Sequence, residues 1–422
     1  MKKLIVTILL IVILAACAPD AMRAELLGAE IEVSTAAELT NAMKNATSGD
    51  TIVMRGGAYT APTTGWQFTN GGVTLMNYPG EQVIITQPKM GISGNHIIKC
   101  LLVSPPVDWN RIIGSDVGDE KGIVMRGIDK SGVAPAILAY QCDNWEIAGV
   151  EFQDVGYGIF TRKVNKGATS ADAWYVHDNL ISDYFRESGM QFNGNGNTIE
   201  NNVIIKATSQ YNSTYGCQIL NLLGNNNVVR GNHLERVDQS VRCIGIFFEW
   251  NLADANLIEG NTIVGVVNGI SLFGGDDNII RNNTLSGTDT AFIVRSWADG
   301  VTTYPCNFSA FMPLENDVDN PDYQFMYPFD CRSKGNRFEG NVVTGFASFS
   351  YVGLPEPSNV FVSLTATPSP TSTPTRTPSP TATATSTPTM TPTPTSTPTA
   401  TPTPLPDFYC TITPNGLNCF KY

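Results

Sequence analysis

Histidine is almost missing: 422 residues hold only His96, His177 and His233, at spacings that share no pattern. None of the nine cysteines stands at a zinc-finger spacing either, so no metal centre of the His/Cys type is expected. Basic side chains are scarce, with 26 Lys and Arg against 38 Asp and Glu and a net charge of −12. That balance excludes nucleic acid and the surface of an anionic membrane as electrostatic partners. It also makes an anionic polysaccharide less natural, unless calcium or a local basic patch bridges it. Long apolar runs are lacking beyond the N-terminus, where residues 4–14 fall short of the roughly 20 residues of a membrane span.

What the chain has instead is a repeat. Asn197-Thr-Ile-Glu-Asn-Asn-Val-Ile204 returns as Asn227 to Leu234, Asn256 to Ile263, Asn278 to Leu285 and Asn336 to Val343. Looser copies start at Trp174 and Trp145. Taking the first apolar residue of each as marker, the copies fall at 147, 176, 199, 229, 258, 280 and 338. Apolar residues alternate as in strands, and Asn interrupts them where a tight turn needs a left-handed backbone. Such a period describes one coil of a parallel β-helix, with coils stacked about 4.8 Å apart. The column Asn179, Asn202, Asn232, Asn261, Asn283 and Asn341 then becomes a corner ladder, each amide bonded to the next. The charged column His177, Glu200, Arg230, Glu259, Arg281, Glu339 alternates in sign, which reads as a stabilising stack of charges rather than a binding stripe.

Residues 1–17 form a targeting segment, with Lys2 and Lys3 at its positive end and Leu14-Ala15-Ala16-Cys17 at its close. That last motif resembles the bacterial lipoprotein signal, which implies lipid on Cys17 and an extracytoplasmic protein anchored at the cell envelope or surface. A tether (18–30), a β-helix (31–362), a Thr/Pro/Ser-rich spacer (363–406) and a short tail (407–422) are expected to follow. The spacer composition cannot bury a core and is read as disordered. In an oxidising space Cys306 with Cys331 and Cys410 with Cys419 are the expected disulfides, each closing a loop outside the repeats. Cys100, Cys142, Cys217 and Cys243 need be no more than buried thiols stacked in the coils. Thr35-Ala-Ala-Glu38 is a capping box opening a short helix that would cover the first coil.

Val33-Ser-Thr-Ala-Ala-Glu-Leu39, Gly49-Asp-Thr-Ile-Val53, Gly57-Ala-Tyr59 and Val73-Thr-Leu-Met-Asn-Tyr-Pro-Gly80 resemble the opening of pectate-lyase-superfamily proteins. The repeats are similar to the right-handed β-helix region of that superfamily, over roughly residues 31–362. The resemblance implies an all-β, right-handed parallel β-helix solenoid, a polysaccharide groove on one sheet, and calcium with Arg or Lys in those members that are lyases. It leaves activity open, since lyases, hydrolases, epimerases and adhesins share these motifs. The lyase signature Arg-x-Pro-x-x-Arg is absent. Trp174-Tyr-Val-His-Asp-Asn179 only loosely resembles the Trp-Ile-Asp-His-Asn strand, and Gly275-Asp276-Asp277 lacks the partners of a polygalacturonase site.

Each repeat is preceded by a second kind of strand, starting at Gly158, Gly189, Gly216, Gly245, Gly269 and Ala291. Alternation turns Phe160, Gln191, Asn193, Gln218, Phe247 and Phe273 outward, and these are the candidate substrate contacts. Arg162, Lys163, Glu249 and Arg295 are the ionisable groups on this face and the candidate catalytic residues. The 296–335 insertion, with Trp297 and further aromatics, flanks the same face. Two functions stay open: a polysaccharide lyase working by β-elimination, or a non-catalytic carbohydrate-binding or adhesive surface protein.

Overall fold

The computed structural model describes residues 28–87, 96–100, 107–127, 134–140, 142–161, 171–208, 216–249, 253–273, 275–295, 333–344, 348–352, 360–362, 365–367, 408–413 and 416–421. Three parallel sheets account for nearly all of its strands, and each turn of the chain from Ile98–Cys100 to Ser348–Val352 adds one strand to each. Sheet A has twelve strands, sheet B eleven and sheet C nine. This is a parallel β-helix. In sheet A the markers Ile147, Val176, Ile199, Val229, Ile258, Ile280 and Phe338 stand in direct register, as the repeat requires. All seven are fully buried and stack into one continuous core. An earlier coil, missed in the sequence, supplies Arg111–Ile113, Ile123–Arg126 and Pro135–Ala139. Sheet B runs on to Thr365–Thr367, past Val362.

The helix Ala36–Asn45 starts at the expected capping box: Thr35 Oγ1 accepts from the Glu38 amide, and the Glu38 carboxylate accepts from the Thr35 amide at 3.1 Å. Its Leu39, Ala42 and Met43 are buried against the first coil.

Between sheets A and B the Asn ladder forms as expected. Each amide nitrogen donates to the next Asn oxygen, from Asn179 to Asn202 at 2.9 Å through to Asn283 and Asn341 at 3.0 Å. Each backbone amide donates to the same oxygen. A buried polar column is tolerable only because its groups are satisfied in this way. The corner from C to A carries a second ladder, in which Asn256 Nδ2 donates to Asn278 at 3.0 Å and Asn278 to Asn336 at 2.9 Å. Just outside it runs a third, in which Asp143, Asp172, Asn195, Asn225, Asp254, Asp276 and Lys334 each donate a backbone N–H to the Asx side chain one coil back.

The charged column of sheet A also stacks in register. It pairs in twos: Arg230 with Glu200, and Arg281 with Glu259 at 2.6 Å. His177 departs from the pattern, turning its ring to Asp178 (2.7 Å) and Glu146 (3.2 Å) rather than to Glu200, whose carboxylate takes the Tyr175 hydroxyl.

The cysteine reading needs correction. Cys100 is bonded to Cys142, and Cys217 to Cys243. Direct register on adjacent strands brings Cys217 and Cys243 to a Cα separation of 4.5 Å, within disulfide reach. Cys17, Cys306 and Cys331 lie outside the described residues. Phe408–Thr413 and Gly416–Lys421 pair as two antiparallel strands by themselves, with Cys410 and Cys419 at opposed backbone positions.

Candidate functional site

The outer face of sheet C is built by the strands Tyr157–Thr161, Ser188–Phe192, Cys217–Leu222, Cys243–Glu249, Asn268–Phe273 and Thr290–Arg295. Ile159, Met190, Leu220, Ile246, Ile270 and Phe292 form the inward column. Immediately after them in each strand comes an outward column: Phe160, Gln191, Asn221, Phe247, Ser271 and Ile293, again in register. None of these six belongs to the core cluster. Two amides on neighbouring coils thus stand between an aromatic on either side.

Gly189 explains how this face is positioned. A Cβ there would lie 2.6 Å from Ile204 of sheet B and 3.0 Å from the Ile219 carbonyl, so the strand passes too close for any side chain. In the next coil Ile219 takes the same register, between Gln218 opposite Ser188 and Leu220 opposite Met190. The sequence reading anchored that strand on Gly216, three residues early, and therefore missed Asn221. Gln218 lies one column over, opposite Ser188, whose hydroxyl donates to its Oε1 at 3.2 Å.

Depth divides the candidates. Gln191, Gln218, Asn221 and Phe247 are buried, at 8%, 6%, 3% and 7% exposure, whereas Phe160, Asn193 and Phe273 are half-buried and form the accessible edge. Gln191 Nε2 donates to Asn193 Oδ1 at 3.3 Å, which ties edge to floor. Phe247 meets Phe273 edge to face at 4.8 Å, and Tyr157 packs on Phe160 at 4.9 Å. The Tyr157 hydroxyl donates to Glu187 at 3.0 Å, and burial followed by the Glu187 charge pushes the phenol far up. Neither Tyr157 nor Glu187 was singled out from sequence.

Glu249, Phe273 and Arg295 share one register position on three successive strands. At about 4.8 Å per coil, Glu249 and Arg295 are roughly 10 Å apart along the stack. Arg162, Lys163 and Trp297 lie outside the described residues, as do the side chains of Glu249 and Arg295. Among the described residues no three His, Cys, Asp or Glu side chains group to hold a metal ion.

Beneath one edge of the face sits a cation that the sequence did not signal. Lys206 is fully buried, its Nζ 3.1 Å from Asp183 Oδ1 and 4.8 and 5.1 Å from the ring centres of Tyr184 and Phe185. Tyr184 in turn donates its hydroxyl to the Gln218 carbonyl at 2.8 Å and touches Cys217 Sγ at 3.5 Å. The ion pair and the Cys217–Cys243 bond therefore brace the same strand.

Residues 135–308 match a family model described as a right handed beta helix region. No curated protein matches the chain. Among solved structures the chain is similar to the alginate lyase from Paenibacillus sp. str. FPU-7, at 17% identity and a TM-score of 0.42, over 80% of this chain and 98% of that one. It is similar to the mannuronan C-5 epimerase AlgE4 A-module of Azotobacter vinelandii, at 13% and 0.44, over 81% and 95%. The DFA-IIIase from Arthrobacter chlorophenolicus A6 follows at 10% and 0.47, over 75% and 80%. The family match and the three parallel sheets together give the fold as a right-handed parallel β-helix.

Proposed function

We propose that this right-handed parallel β-helix binds polysaccharide along the outer face of sheet C. The observation that carries the reading is Gln191 and Asn221 side by side on adjacent strands, with Phe160 one coil away on one side and Phe247 on the other. A carboxamide offers a donor and an acceptor together, which suits the paired hydroxyls of a sugar. Aromatic rings take the C–H faces of the same sugars. A coil rise of about 4.8 Å repeats these contacts along an extended chain. Half-buried Phe160, Asn193 and Phe273 are the first residues a ligand would meet, with the buried amides deeper.

Binding without chemistry is the primary reading. β-Elimination on a uronate glycan is the second, favoured by Glu249 and Arg295 sharing one column with Phe273. It needs a base for the proton beside the carboxylate and a cation to neutralise that carboxylate. Two disulfides within the coils support an extracytoplasmic location, since such bonds persist in oxidising compartments. Lipid on Cys17 would then hold the protein at the envelope.

The test is affinity electrophoresis of the full chain in gels containing pectate, alginate or neutral glycans, beside a parallel reading of unsaturated-uronate absorbance. Retardation that Phe273→Ala abolishes supports binding at sheet C. Absorbance that Glu249→Gln or Arg295→Ala removes establishes the lyase. Retardation by no glycan, with no absorbance, sinks both.

A further inference from the structure

The corner from sheet C to sheet A has one position that is left-handed in every coil. Asn144, Ala173, Asn226, Ala255 and Asp277 sit there at φ of 59, 58, 58, 54 and 56°, and Gly196 and Gly335 at 66 and 64°. All but Gly335 are seen to donate the N–H to the carbonyl of the next coil's corner. Asn, Asp, Ala and Gly are small residues, and Asn, Asp and Gly tolerate this backbone best. Trp109 occupies the same position, at φ 65°, with its N–H on the Asp143 carbonyl at 3.1 Å. It is also 65% exposed. A bulky aromatic here carries backbone strain and gains little burial in return, so folding does not account for it.

The surroundings say what it could hold. Asp108 and Asp143 lie at the same corner on successive coils, partly exposed, with Asp108 Oδ1 accepting from the Asp143 N–H at 2.9 Å. One coil earlier the Gly72 N–H donates to the Asp108 carbonyl at 2.9 Å, and Asn70, two residues before it, lines a cleft of about 700 Å³. Thr40, Lys44, Gln67 and Thr69 line the same cleft under the capping helix. An exposed indole face, paired carboxylate acceptors and, one coil away, a cleft that sets Trp66 and Phe68 beside hydroxyls and amides make a surface for a polyhydroxylated ring. The two carboxylates would repel an anionic sugar and accept from the hydroxyls of a neutral one.

We propose that Trp109, with Asp108, Asp143 and the cleft at Asn70, is a second glycan-binding site, which stacks a neutral pyranose unit and is independent of the outer face of sheet C.

Trp109→Asn is the decisive variant, because Asn already fills this position at 144 and 226 and relieves the strain. The full chain is titrated with cello-, manno- and xylo-oligosaccharides by calorimetry and by tryptophan fluorescence. The unaltered protein is expected to bind at least one series, and Trp109→Asn to weaken that binding about tenfold or more with a melting temperature that is unchanged or higher. Asn70→Ala is expected to weaken the same series, and Phe273→Ala on sheet C to leave it intact. Binding that Trp109→Asn leaves within about twofold overturns the site, as does failure of the unaltered chain to bind any neutral series. If Phe273→Ala alone removes binding, the sheet C reading stands and this one falls. Loss through Trp109→Asn alone gives the reverse.

Discussion

Lys206 Nζ lies 3.1 Å from Asp183 Oδ1 in a setting where the lysine is fully buried and the aspartate side chain is 9% exposed. Removing one partner strands the other's charge, whereas replacing both with apolar groups does not. Lys206→Ala should therefore destabilise the protein by about 3–5 kcal/mol. The double change Lys206→Met with Asp183→Leu should recover much of that loss. Equilibrium urea unfolding of the two variants checks both statements, and equal losses would contradict them.

The Asn ladder should be similarly intolerant at its middle. Asn232 donates to Asn261 and to the Ile199 carbonyl, and accepts from Asn202 through both side chain and backbone. Asn232→Ala leaves these groups buried and unmatched, at about 1–3 kcal/mol for each. A fall in the melting temperature larger than that of Asn225→Ala, on the outer ladder, is the expected result.

Acid should weaken the N-terminal coils through His96. Burial, and secondarily Lys99, hold this imidazole down to about 4, against an ordinary value of 6.5. With the folded value depressed, the unfolded chain takes up the proton first as pH falls. Stability contributed by neutral His96 is thus complete above pH 6.5 and is lost on acidification toward pH 4, at up to about 1.4 kcal/mol per pH unit. Stability measured between pH 7 and 4 should fall less steeply in His96→Gln, and the His96 ring should titrate near 4 by NMR.

Asp143 should respond to pH in the opposite sense. Burial raises its carboxyl, and the charges of Asp172 and Asp108 raise it further. Its ionised form opposes folding at neutral pH, and the penalty is relieved as pH falls through the folded value. Asn performs the same acceptor role at positions 195 and 225 of the same ladder. Asp143→Asn should therefore stabilise the protein at pH 7, by less than about 1 kcal/mol for so exposed a group, and by less still at pH 4.

Reduction offers a fifth check. Breaking Cys217–Cys243 should cost about 2–4 kcal/mol, seen as a lower melting temperature in reductant and in Cys217→Ser/Cys243→Ser. No effect of either would mean that the strand is held by Lys206 and Tyr184 alone.

The solenoid was legible because its signal is a buried polar residue at a fixed place in six successive coils, and few other folds ask for that. Asn202 and Asn232 announce the corner, and the register of sheet A follows from them. The coil through Arg111–Ile113 escaped because Asn77 and Ser115 make its corner without the repeated motif: the Ser115 N–H donates to Asn77 Oδ1 at 2.8 Å. Asn221 escaped because Ile219 replaces the glycine that marks its neighbours, while Gly216 imitates it. Lys206 and Asp183 are 23 residues apart with no motif between them, and only the stacking of coils brings them together. Trp109 was unreadable for a similar reason, since a left-handed backbone shows in sequence only where Gly or Asn supplies it.

Asn256 donates to Asn278 across 22 residues of chain at 3.0 Å, and Asn278 to Asn336 across 58 residues at 2.9 Å. The amide column is indifferent to how far the polypeptide wanders before it comes back. Loop length is thus a free variable here, and whole segments could be spliced in after a sheet C strand without disturbing the coils above or below. Such a backbone is a natural chassis for grafting: a foreign peptide inserted at that point should leave the melting temperature nearly unmoved while changing what the surface displays.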